Sequence, residues 1–92
     1  MTSRDVDATR VAYIETLRAA YAARRGATPA LEMAVRAYAR ALREDGVAIG
    51  RALIEVKDLV RAHTGYDEPI ITPKVVGWAV AGYFAGTGRQ ER

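Results

Sequence analysis

Ninety-two residues, half of them apolar and about a quarter charged, suffice for one domain with a modest core. The net charge of +3 is spread evenly along the chain, which argues against the concentrated positive field of an obligate nucleic-acid binder. Cysteine is absent, so disulfide frameworks and thiolate metal sites are excluded, and a reducing, cytoplasmic setting is the expectation.

The opening segment Met1-Thr2-Ser3-Arg4-Asp5 is polar and lacks the basic-then-apolar layout of a secretory signal. Turn signals at Gly26-Ala27-Thr28-Pro29, at Asp45-Gly46 and across Thr64 to Pro73 then cut the chain into four helical segments. The sequence predicts an all-α single domain spanning 1–92, with helices at about 5–25, 29–44, 48–63 and 73–86 and with 1–4 and 89–92 frayed.

In the first helix Ile14, Leu17 and Tyr21 recur at helical spacing, supported by Val6, Tyr13 and Ala20. Arg24 and Arg25 suit the negative end of its dipole, and Gly26 suits a left-handed cap. The second helix opens on Thr28-Pro29, a side-chain cap followed by proline in the first turn. Leu31, Val35, Tyr38 and Leu42 form its stripe, flanked by Ala34 and Ala41, and Arg36, Arg40 and Arg43 occupy the opposite face.

Gly46 turns the chain into the third helix, whose stripe is Ile49, Leu53, Val56 and Val60, widened by Ala52 and Leu59. Leu42 and Leu53 are both expected in the core of this hairpin. The outer face carries Arg51, Glu55 and Asp58, and Ile54 lies outside the stripe.

The fourth helix is different. From Val75 to Gly88 there is no charge at all. Thr72-Pro73 reads as its cap and first residue, with Ile71 and Val76 spaced as a hydrophobic staple. The run is about 14 residues, short of the roughly 20 that a bilayer span needs. Val76, Val80, Tyr83 and Phe84 cluster on one side, Trp78 projects from the other, and Gly77, Ala81 and Ala85 form a ridge of small residues. A helix apolar around its circumference must be covered on more than one side, and three amphipathic helices have limited surface to offer.

Catalytic raw material is scarce. The one histidine, His63, ends the third helix near Asp67 and Glu68, a spacing that matches no base or metal motif, and Ser3 is the only serine. Gly82, Gly86 and Gly88 lack both the preceding strand and the following Gly-Lys-Ser/Thr of a phosphate loop. No catalytic residue, metal or cofactor is therefore expected. The aromatic supply of Tyr66, Trp78, Tyr83 and Phe84 would suit a ligand-sensing bundle. The second and third helices have helix-turn-helix proportions, with Arg51 placed to reach bases and Arg36, Arg40 and Arg43 placed to reach phosphates. Against that stand Glu55 and Asp58 beside Arg51, and Glu44 and Asp45 before the turn. The first expectation is a non-enzymatic interaction or regulatory module, most simply a homodimer, using Gly77, Trp78, Ala81 and Ala85. The alternative is a DNA-binding regulator. Arginine outnumbers lysine twelve to two, a usage expected of a GC-rich bacterial genome.

Overall fold

A computed structural model describes residues 2–22, 28–65 and 69–85, with side chains from Asp5 onward. Its four helices are α1 (Thr2–Ala22), α2 (Pro29–Glu44), α3 (Ile49–Thr64) and α4 (Ile71–Phe84). They pack into one all-helical unit whose radius of gyration is 12.6 Å, against about 12 Å for a compact chain of this length. The α1 helix includes residues 2–4, which the sequence reading leaves frayed. The Arg24, Arg25 and Gly26 cap and the tail 89–92 lie outside the described residues.

The α2 helix is the hub. Thr28 accepts a hydrogen bond from the Leu31 amide at 3.1 Å through its hydroxyl, and Pro29 occupies the first turn, where no amide proton is needed. At the other end the Gly46 amide bonds the Arg43 carbonyl and the Val47 amide bonds the Leu42 carbonyl. This is a Schellman closure, and it requires the left-handed backbone that Gly46 adopts at φ 86°. Between the caps Leu31, Ala34, Val35, Tyr38, Ala39, Ala41 and Leu42 are all buried. That arc covers about 160° at 100° per residue, wide enough for two neighbours, and α1 and α4 are its principal partners. The α3 helix packs mainly on α4, through Ala52, Val56 and Val60, with Leu53 and Leu59 half-buried beside them.

The seam of α1 is rotated from the expected one. Val6, Tyr13, Leu17 and Ala20 are buried, Ile14 is half-buried, and Tyr21 is 39% exposed. The polar end of Tyr13 explains the shift. Its hydroxyl donates to the Val56 carbonyl at 2.9 Å, and its ring stacks on Tyr38 with centroids 5.6 Å apart. One side chain thus ties α1 to α2 and α3, and a buried tyrosine with its hydroxyl satisfied outweighs a more symmetric aliphatic stripe. Arg10 lies over the Tyr38 ring at 5.9 Å and donates to its hydroxyl at 3.4 Å.

Burial pushes the Tyr13 hydroxyl well above the ordinary tyrosine range, and burial also raises Tyr38 despite the opposing hydrogen bond from Arg10. Both phenols therefore hold their protons more tightly folded than unfolded. Stability is full below the unfolded value of about 10 and falls as pH rises beyond it. Urea titrations between pH 8 and 11.5 are expected to show this decline, and Tyr13→Phe is expected to flatten it. An unchanged slope in that variant would refute the assignment.

The start of α4 differs most from the sequence reading. The helix begins one turn-half early, at Ile71, with Ile70 as its cap residue and no side-chain cap. Thr72 is not the cap; its hydroxyl is buried without a hydrogen-bond partner. Pro73 sits at the third helical position, where a missing amide proton costs nothing. The energetics favour this arrangement. A threonine cap contributes about 1 kcal/mol, whereas burying an isoleucine contributes about 1.5–3 kcal/mol, and Ile71 in the helix is only 3% exposed. As a buried first residue, Ile71 cannot serve as the outer half of a staple with Val76.

Candidate protein-interaction face

The buried side of α4 is Ile71, Val75, Ala79 and Gly82. At 100° per residue these fall within an arc of about 80°, and neither apolar cluster expected from the sequence coincides with it. Trp78 and Tyr83 lie on opposite flanks, each half-buried against the core. Trp78 therefore belongs to the shoulder of the internal packing, not to the crown of the outward face.

Gly82 sets the depth of this packing. A methyl group there would lie 2.5 Å from the Arg36 carbonyl oxygen and 2.6 Å from its Cα, so the α4 and α2 backbones touch at that point. Tyr83 then fixes the far end of α4. Its hydroxyl donates to the Val47 carbonyl at 2.8 Å, its ring meets Phe84 edge-on at 5.0 Å, and Arg43 stands 6.0 Å over it.

The opposite side of α4 is exposed and apolar. Pro73, Gly77, Val80, Ala81 and Phe84 share an arc of about 100°. Val80 is 38% exposed and Phe84 is 47% exposed, both large for apolar side chains near the middle and end of a helix. Lys74, at the N-terminal edge, is the only charged residue on the helix. Among the described residues, nothing beyond its own turn of helix lies within 4 Å of where a Cβ on Gly77 would stand, and its φ is not positive. A mid-helix glycine costs about 0.5–1 kcal/mol relative to alanine, and nothing inside the fold repays it at this position.

Of the residues expected at an interface, Gly77, Ala81 and Ala85 are exposed and Trp78 is half-buried. Pro73, Val80 and Phe84 share the outward arc; Val80 and Phe84 belong to the apolar cluster read from the sequence but not to the expected interface, and Pro73 to neither, although their spacing with Gly77 (i, i+4, i+7, i+11) carried the signal. The aromatic set does not converge: Trp78 and Tyr83 are on different flanks, and Tyr66 lies outside the described residues.

The arginines expected to meet nucleic acid are spread and occupied. Arg36 pairs with Glu32 at 2.8 Å, Arg40 with Glu44 at 3.2 Å and Arg51 with Glu55 at 3.5 Å, each four residues apart on its own helix. Arg43 is turned toward Tyr83. Such exposed pairs contribute only about 0–1 kcal/mol each, but they place a carboxylate beside every one of these three guanidinium groups. His63 is exposed in the last turn of α3, and Asp67 and Glu68 lie outside the described residues. Among the described residues, no three His, Asp or Glu side chains gather as a metal site requires, and no helix is long and apolar enough to cross a membrane. No family model, curated protein or solved structure matches this chain.

Proposed function

We propose that the chain is a non-enzymatic interaction module that self-associates through the outer face of α4. The observation that supports this reading is the pair of apolar faces on one helix. One face is buried in the fold, and the other, Pro73, Gly77, Val80, Ala81 and Phe84, meets solvent. Contiguous exposed apolar surface on a soluble domain marks an association site. Aromatic anchors such as Phe84 are the side chains whose desolvation contributes most at such sites.

Light scattering across a concentration series tests the proposal. The wild type is expected to run as a dimer at micromolar concentration. Phe84→Asp and Val80→Asp are expected to run as monomers with helical circular dichroism retained, because neither side chain belongs to the buried core. A wild type that stays monomeric into the millimolar range would overturn the reading. The same preparations are expected to bind duplex DNA no tighter than about micromolar at physiological salt, the range of sequence-independent association. A nanomolar, sequence-selective complex would replace this proposal with the DNA-binding one, and charge reversal at Arg36, Arg40, Arg43 and Arg51 would then locate the contact.

A further inference from the structure

We infer that the occupant of the α4 face is a second copy lying antiparallel, with the two-fold axis passing between Val80 and Ala81. The inference rests on the proposed self-association and specifies its geometry. Three features of the face lead to it.

The first is size matching. In an antiparallel pair centred between residues 80 and 81, Phe84 and Gly77 lie nearest the centre of the face, and Phe84 faces the second copy's Gly77. The largest exposed side chain of the face meets its glycine, twice over by symmetry. In a parallel pair, by contrast, Phe84 would meet Phe84 and Gly77 would meet Gly77, leaving a clash at one end and a void at the other. A self-complementary patch of this kind is what a closed two-fold dimer requires.

The second is the open space over Gly77, where, among the described residues, nothing beyond its own turn of helix approaches within 4 Å of a Cβ position. It forms a notch of helical backbone that a phenyl ring entering from another helix can fill. The third is charge. Lys74 lies in the first turn of α4, next to the positive end of its own helix dipole. Antiparallel pairing brings it to the C-terminal end of the opposing helix, where the dipole is negative, and separates the two Lys74 groups by about 20 Å along the axis. Parallel pairing would set them side by side.

Because the natural chain has no cysteine, introduced pairs report this geometry directly. Gly77→Cys and Phe84→Cys chains are mixed, oxidised mildly at low micromolar concentration and resolved without reductant, with circular dichroism confirming the fold of each. The mixed pair is expected to cross-link at least tenfold more than either variant alone. Like residues in the antiparallel pair stand about 10 Å apart along the axis, beyond disulfide reach. Preferential 77–77 and 84–84 links would establish a parallel pair and overturn the inference. Absence of all three links, with the wild type dimeric, would place the contact on another face and overturn it as well. A monomeric wild type would instead remove the self-association on which the geometry depends. Lys74→Met gives a second readout that leaves the contact residues intact. Its dissociation constant is expected to rise several-fold in the antiparallel arrangement, and a fall would point to the parallel one.

Discussion

Gly82→Leu is expected to abolish the fold, and Gly82→Ala to lower stability by about 1–3 kcal/mol, the cost of overpacking a filled interior. The sign is the informative part. In an unencumbered helix, alanine in place of glycine stabilises by about 0.5–1 kcal/mol. At Gly82 the added methyl would meet the backbone of Arg36, not the movable end of a side chain, so α4 must lift away from α2. Lifting that helix loosens Val75 and Ala79, and it strains the Tyr83 bond to the Val47 carbonyl. Gly77 supplies the internal control: at low protein concentration Gly77→Ala is expected to stabilise the monomer. Urea denaturation of both variants checks the pair. A Gly82→Ala protein as stable as the wild type would mean that the two helices cross less closely than described.

Leu42→Ala carries the second large effect, about 2–5 kcal/mol, out of the roughly 5–15 kcal/mol that a domain has in total. Leu42 is 3% exposed, and its carbonyl also accepts the Val47 amide that closes α2. The cavity would therefore open under the turn into α3. Leu53 was expected to behave alike, but it is only half-buried. Leu53→Ala should cost about half as much, in proportion to the apolar area it removes from water. Thermal melts of the two variants test the orientation of α3: equal losses would mean that α3 is turned further toward Leu53 than its buried Ala52, Val56 and Val60 indicate.

The ranking of these effects follows from which helix lies at the centre. The most apolar segment of the chain is not its most buried element; α2, with arginines along its outer side, contributes seven buried residues and α4 only four. Apolar character in α4 thus exceeds what the fold can cover. That surplus motivates the proposed association on the side away from Gly82.

Local chemistry made much of the architecture legible. The Thr28 cap, the Pro29 start and the Gly46 closure each depend on residues within one turn of chain, so sequence alone determines them. The stripe of α2 is equally secure, because four large apolar residues face three arginines and only one face can be buried. Uniform composition removes that kind of information from α4. With apolar residues all round, periodicity cannot choose a face, and the choice fell to Gly82, whose missing side chain lets α4 lie against α2. The start of α4 at Ile71 and the rotation of α1 toward Tyr13 also needed the folded chain. In each case a partner distant in sequence outweighs a local preference: the core that receives Ile71, and the Val56 carbonyl that satisfies Tyr13. Sequence by itself determined the number of helices, and the caps and the seam of α2. Tertiary structure decided which side of the least polar helix turns inward, because that depends on how closely two backbones approach and not on hydrophobicity.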